Sequence, residues 1–443
     1  MFETLKNALK VKEIRIKILF TLLLLLVYRV GCYIPIPGIN ADTLERIFDT
    51  AGAGADFLGL LSTLTGGAMQ NGTLFALGIL PFINASIIMN LLTLAIPRLE
   101  KLSKEGEEGR RKMTQITRIM SLVLALVQAI GIVASWNNNA TAGSAITSLF
   151  GFEEVGKAYL SMSLIVVILV GGSTMVMWLG ERITEYGVGN GTSLIIFIGI
   201  LSSFGTALAQ AFNMLGNNWV YVWNIIGFLL VVGAIFVFIV FMDLSERKVP
   251  VQYSKQIKGN KMYGGQTTHI PIRINAGGVM PIIFASSFLM FPQMIMQLFW
   301  SDSEAYRWYA TNMGSGTWVY YVFLAVLILF FSYFYAMIQF NPDDVSRNIQ
   351  QYGGFIPGIR AGKPTSDYLR KINNRITLFG ALFLAVLALL PTFVFNALSA
   401  NGALGFGGAF SATGLLIVVS VALEFDKQLE SQIMMRHYKG FLK

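Results

Sequence analysis

Two histidines, one cysteine and 24 acidic residues are the first candidates this chain of 443 offers for acid–base, thiol or metal chemistry. Their placing argues against all three. His269 and His437 lie in separate polar segments, and Cys32 stands alone, which excludes an intramolecular disulfide and any Cys/His metal cluster. "GIRAGKPT" resembles a phosphate loop, but only three residues separate Gly358 from Gly362, and Pro364 follows Lys363 where Ser or Thr is needed. Glu181, Glu185, Asp243, Glu424 and Asp426 fall at the ends of apolar runs, whereas a proton relay places its carboxylates inside them. No serine with a membrane histidine, aspartate pair or H-E-x-x-H motif marks an intramembrane protease. Arg29 is the one charge well inside an apolar run; it either snorkels to the interface or has a function. The expectation is a protein that is not an enzyme, with no cofactor and no metal.

The apolar runs dominate instead. Hydrophobic residues make up 54% of the chain and charged ones 13%, against about 25% charged in soluble domains. Mean hydropathy is +0.61. Runs long enough to cross a bilayer are expected near 18–36, 73–96, 116–135, 159–179, 192–211, 219–242, 276–300, 318–340, 376–398 and 407–425. The fold class is therefore an all-α polytopic membrane protein, since lipid offers backbone groups no partner outside a helix or closed barrel. The runs lack the alternation of barrel strands. Met1 to Lys17 reads as a basic amphipathic N-terminus rather than a cleaved leader.

Ten spans put both termini on one side, and all but four of the 33 Lys and Arg residues fall there. The positive-inside rule makes that side cytoplasmic. The net charge of +9 thus belongs to a basic face on an apolar body. Two loops on it, 243–275 and 341–375, are long enough to project side by side as one platform. The first suggests a hairpin around Val249-Pro250-Val251. Most of its lysines are ordinary solvated positive-inside residues; as a group they suit an anionic partner such as RNA phosphates or an acidic motor protein.

One segment is out of pattern. In "DFLGLLSTLTGGAMQNGTLFALGILPF" (56–82) an apolar stretch stops at Gly66-Gly67, and a second begins after Asn71-Gly72. The first piece is about ten residues, or ~15 Å of helix, half of a ~30 Å hydrocarbon core. Spans two and seven also share an entry glycine, a proline and small polar residues, in "LGILPFINAS" and "AGGVMPIIFASS". They occupy the same position in the chain halves, spans 1–5 and 6–10, which suggests inverted repeats with a pathway between them. An inverted-repeat transporter of a small solute is the alternative reading.

Five segments, "YRVGCYIPIPGIN", "FALGILPFINASII", "WLGERITEYGVGNGTS", "THIPIRINAGGVMPIIFASS" and "GGFIPGIRAGKPTSDYL", resemble signature segments of the SecY family of protein-conducting channels, in order across nearly the whole chain. The resemblance implies the central subunit of a protein translocation channel in the cytoplasmic membrane. Such a channel passes unfolded polypeptides through a central pore and releases signal helices laterally into lipid. Implied partners are SecE and SecG subunits, the SecA motor ATPase, the ribosome, signal-bearing polypeptides and membrane lipid.

Particular residues acquire roles from the same resemblance. A pore ring falls on Ile79, Ile83, Thr192, Ile196, Ile283 and Ile417, although Thr192 departs from the usual aliphatic residue and each isoleucine alone would read as packing. The short helix 56–66 becomes a plug, with Asp56 as N-cap, Phe57, Leu58, Leu60, Leu61 and Leu64 on one face, and Gly66-Gly67 as hinge. A lateral gate lies between spans two/three and seven/eight, where Asn84, Gln128, Ser286 and Ser287 are expected to bond weakly across the seam. Ribosome or motor docking falls to Arg247, Lys248, Lys255, Lys258, Lys261 and Arg360. The expected organisation is 1–17 cytoplasmic, 18–211 and 212–425 as the two halves, and 426–443 as a cytoplasmic tail.

Overall fold

The computed structural model describes residues 6, 8–44, 62, 64–137, 146, 155–215, 220–253, 256–258, 261–263, 267–275, 277–278, 280–299, 303–314, 317–399 and 412–440. Ten long helices match the ten expected spans in order. They are α1 (Lys12–Gly31), α2 (Leu80–Ala95), α4 (Glu107–Asn137), α5 (Val155–Tyr186), α6 (Gly191–Leu215), α7 (Val220–Leu244), α8 (Met280–Phe299), α10 (Trp318–Gln339), α12 (Lys363–Ser399) and α13 (Ala412–Gly440). Among the described residues, four helical stretches are long and apolar enough to cross a bilayer on their own, and a fifth is if α2 is joined to the short α3 (Pro97–Lys104) that follows it. Others carry shorter described apolar stretches, such as Gly191–Gly205 and Leu229–Leu244. Packing makes all ten one assembly.

That packing is duplicated. In the first half α2 packs on α4, α4 on α5, α5 on α6, and α1 on both α5 and α6. In the second, α8 packs on α10, α10 on α12, α12 on α13, and α7 on both α12 and α13. The same five neighbour pairs recur with a five-helix offset. An odd number of crossings inverts the second copy relative to the first, as in inverted-repeat membrane folds. The halves meet along two seams. On one, α6 touches α7 and α13; on the other, α8 touches α2 and α4. One apolar cluster, from Leu24 and Ile79 to Ile282, Leu384 and Ile417, runs through both halves.

Span two departs from expectation. Its helix begins at Leu80, with Pro81 in the first turn where a missing N–H costs nothing. Residues 66–79 before it are a chain of turns. Thr73, Phe75, Ala76 and Leu77 there are buried. Their backbone is tied to the segment after α1: Leu74 N–H donates to the Ile34 carbonyl at 2.9 Å, and Ile36 N–H to the Gly72 carbonyl at 3.1 Å. Irregular backbone at membrane depth is tolerable because protein surrounds it.

The two basic loops form a single small domain. Strand β1 (Glu246–Tyr253) pairs antiparallel with β4 (Thr267–Arg273), Val249 opposite Ile270. The β2 (Gln256–Lys258) and β3 (Lys261–Tyr263) strands pair between them. The second loop adds β5 (Gly354–Phe355) to the other edge of β1, giving the order β4-β1-β5. Val249, Val251 and Ile272 from the first loop then share an apolar core with Ile349, Ile356 and Leu369 from the second.

Candidate functional site

Ile79 and Ile83 of α2, Ile196 of α6, Ile283 of α8 and Ile417 of α13 line one small cavity of about 30 Å³, room for about two water molecules. Leu64 and Thr65, from the segment leading to α2, line it as well, as do Ser286 and Ser287. On the side of the basic loops lies a second cavity of about 510 Å³. Its wall is polar, with Asn190, Asp243, Arg273, Asn275, Glu424 and Lys427 among its residues. Ile196, Ile283 and Ile417 line both cavities. These three isoleucines thus stand between a partly polar vestibule and a small apolar space. An apolar constriction of this kind resists wetting and so blocks ions, while its flexible side chains can part around a larger object.

Thr192 is not among the residues that line the small cavity. It stands in the first turn of α6, where Asn190 Oδ1 accepts both its N–H at 3.1 Å and its hydroxyl at 2.7 Å. Its methyl faces Gly180 of α5, near enough that a Cβ there would stand 3.4 Å from it. Asn190 is the helix cap, and Thr192 belongs to that cap.

Of the plug positions, Asp56, Phe57, Leu58, Leu60 and Leu61 lie outside the described residues. Ser62, Leu64 and Thr65 are helical. The helix ends at Gly66 (φ +67°), and Gly67 N–H donates back to the Ser62 carbonyl at 2.8 Å. A left-handed glycine with a six-to-one hydrogen bond is the Schellman ending, which satisfies carbonyls a helix leaves open. The end lies flat on α6, since a Cβ on Gly199 would stand 2.4 Å from the Leu64 carbonyl oxygen.

At the gate seam, Asn84 (α2), Gln128 (α4) and Ser286 and Ser287 (α8) sit on the helices that meet there. Ser286 Oγ donates to carbonyls of its own helix, Ile282 and Ile283, at 3.0 Å each. Asn84 Oδ1 is buried without a hydrogen-bond partner. The described contact across the seam runs from α8 to α2 and α4.

On the platform, Arg247, Lys248 and Arg360 are exposed. Lys258 and Lys261 face each other in register across the β2–β3 turn, and Lys255 lies outside the described residues. Thr365 Oγ1 fixes the Arg360 carbonyl at 2.8 Å. Asp343, under the platform, accepts from Ser366 and, at 3.0 Å, from Arg370. Sequence reasoning gave no role to one further group. Asp243 joins three elements by accepting from Asn275 and from Ser420 of α13, each at 2.7 Å. Its only sequence signal is a carboxylate at a span end.

Two inverted halves around a constricted apolar passage with a polar vestibule define a helical membrane channel. The chain belongs to the SecY family, whose model matches residues 73–425. It is 42% identical over 452 residues to a protein translocase subunit SecY of Streptomyces galbus, and 41% identical over 452 residues to that of Halalkalibacterium halodurans. Each alignment covers 100% of both chains. Among solved structures, a protein-conducting channel superposes with TM-score 0.64 at 22% identity, over 94% of this chain and 91% of that one. Sec61 from a canine ribosome–channel complex does so with TM-score 0.57 at 20% identity, over the same shares. The small-solute transporter alternative falls with family membership.

Proposed function

We propose that this chain is the channel-forming subunit through which unfolded polypeptides cross the cytoplasmic membrane. The observation that carries the reading is the sharing of Ile196, Ile283 and Ile417 by the vestibule and the sealed cavity. A solute carrier needs ligating groups at that point; an adaptable apolar ring suits a substrate whose side chains change at every step. Ile79 and Ile83 complete the ring, and the helix ending at Gly66 is the plug against its far side. The α8 seam with α2 and α4 is the exit for signal helices into lipid. The basic platform takes ribosomal RNA, as the ribosome-bound Sec61 neighbour suggests, or the SecA motor, and SecE and SecG cover part of the lipid-facing surface. Both termini are cytoplasmic, on the side of the 29 basic residues counted from the sequence. The subunit does no chemistry of its own; the motor or ribosome drives it. Purified protein with its small subunits in vesicles should pass a signal-bearing polypeptide when SecA and ATP are added. No protected polypeptide in vesicles that hold folded channel would overturn the reading.

A further inference from the structure

Arg29 is a full charge within the first span. Such a residue is costly in a bilayer and is tolerated when it faces the bundle interior and finds partners. It finds them on three segments. Its guanidinium donates to Ser202 Oγ of α6, to the Gly66 carbonyl at 3.5 Å and to Tyr33 OH at 3.3 Å, and it lies 5.4 Å from the Tyr33 ring centre. The Gly66 carbonyl is at the C-terminal end of the plug helix, where open carbonyls concentrate negative charge and favour a cation. Glycine is required for the approach: a Cβ on Gly66 would stand 2.5 Å from Arg29 Nη1 and 2.9 Å from the Gly199 carbonyl oxygen. The left-handed φ of +67° at the same residue makes the exclusion double.

We infer that Arg29 is a positioning residue that latches the plug shut, by holding the carbonyl at the plug's hinge against α1 and α6. The inference rests on the plug reading given above. It also accounts for how a latch of this kind releases. When a polypeptide pushes the plug aside, the Gly66 contact is lost, but Ser202 and Tyr33 stay within reach of the guanidinium. The charge is never left without partners, so the latch can open and close repeatedly. An ion pair would hold more firmly; a single charge-assisted bond to a carbonyl is weak enough to yield.

The test is planar-bilayer conductance of the resting channel, with thermal unfolding in detergent as a check on folding. Arg29→Met should raise the leak about tenfold, the equivalent of one hydrogen bond to a charged group. Arg29→Lys, which keeps a donor and the charge, should restore most of the seal. Gly66→Ala, which leaves Arg29 intact but forces the carbonyl away, should leak as Arg29→Met does. A channel lacking residues 57–64 is the reference. If that deletion leaks while folded Arg29→Met and Gly66→Ala remain as tight as the parent, the latch is refuted and the plug stands. If the deletion itself is tight, the plug reading fails and the latch with it. Should Arg29→Met not fold, Gly66→Ala alone decides, and a tight seal in it refutes the latch.

Discussion

Ile283 of α8 and Ile417 of α13 both belong to the second half, and both line the polar vestibule and the small apolar cavity together with Ile196 of α6 from the first half. The boundary between the two cavities is therefore lined from both halves, and a shift of one half against the other would change its width. Putting Asn at either position places a hydrogen-bonding group in the constriction and favours water there. It also removes aliphatic packing on the order of 1–3 kcal/mol. Both effects favour opening. Folded Ile283→Asn or Ile417→Asn should raise resting conductance at least tenfold and admit polypeptides with defective signals. Wild-type tightness in both would remove them from the ring.

Thr192 and Ile196 are one helical turn apart, and of the two Ile196 lines both cavities while Thr192 lines neither. Ile196→Asn should leak as the other ring variants do. Thr192→Val should leave conductance unchanged, because its methyl meets Gly180 and its hydroxyl meets Asn190. Asn190→Ala should instead lower thermal stability by about 1 kcal/mol, the usual cost of a lost cap. Paired conductance and melting measurements check the division; a leak from Thr192→Val would put it back in the ring.

What was legible in the sequence, and what was not, follows from which physical quantity the sequence encodes. Hydropathy reports the surroundings of a segment, so ten spans and a basic face could be read directly. It does not report conformation. Residues 73–79 are as apolar as a helix there, yet Gly66, Gly67, Gly72 and Gly78 all take positive φ, and the buried chain turns instead. The family resemblance put Thr192 beside Ile196 in the ring, but the first turn of a helix has open N–H groups, and local capping takes its hydroxyl. Ser286 is a similar case, since its hydroxyl is taken by carbonyls of its own helix. The alternation around Val249 showed a hairpin, but nothing in it showed that Gly354-Phe355, about a hundred residues on, would become its third strand. Arg29 read as an isolated charge because its partners lie at positions 33, 66 and 202.

The shared core of the platform makes a charge at its surface separable from its folding. Arg360 is exposed and carries no part of that core. Arg360→Glu should therefore abolish motor-driven transport while leaving the melting temperature within a degree or two of the parent. Transport at the parent rate would show that docking does not use this residue.

Asp343 anchors the same loop to α12, and hydrogen bonding from Ser366, helped by the Arg370 and Arg347 charges, holds its carboxyl below the ordinary value of 3.8. A depressed carboxylate contributes its anchoring above the ordinary value and loses it as pH falls through the lowered one. Hydrogen-exchange protection in residues 341–375, taken relative to the intrinsic rate at each pH, should thus be unchanged from neutral pH down to about 4 and fall in more acid solution. Asp343→Asn should show the lowered protection already at neutral pH. An acid response unaltered by that substitution would place the sensitive group elsewhere.

The gate seam yields the last prediction. Asn84 belongs to α2, one of the two helices that α8 touches across the seam, and its side-chain oxygen is buried with no hydrogen-bond partner. A buried unsatisfied acceptor costs about 1–3 kcal/mol, and replacing it by an apolar group of similar shape recovers much of that. The closed seam therefore carries an unrelieved polar group. Opening the seam gives that oxygen access to water or to a passing backbone, so the penalty lowers the work of opening. Asn84→Leu should stabilise the closed arrangement, lower resting leak and raise the hydrophobicity a signal needs to be accepted. Strong signals, which insert with free energy to spare, should be little affected; weak ones should lose roughly tenfold or more in rate. Asn84→Asp should act in the opposite direction, since a charge in that site demands water. Transport rates for a series of signals of graded hydrophobicity test both. If Asn84→Leu lowers transport of strong and weak signals alike, or leaves the threshold where it was, the buried oxygen does not set the balance of the gate.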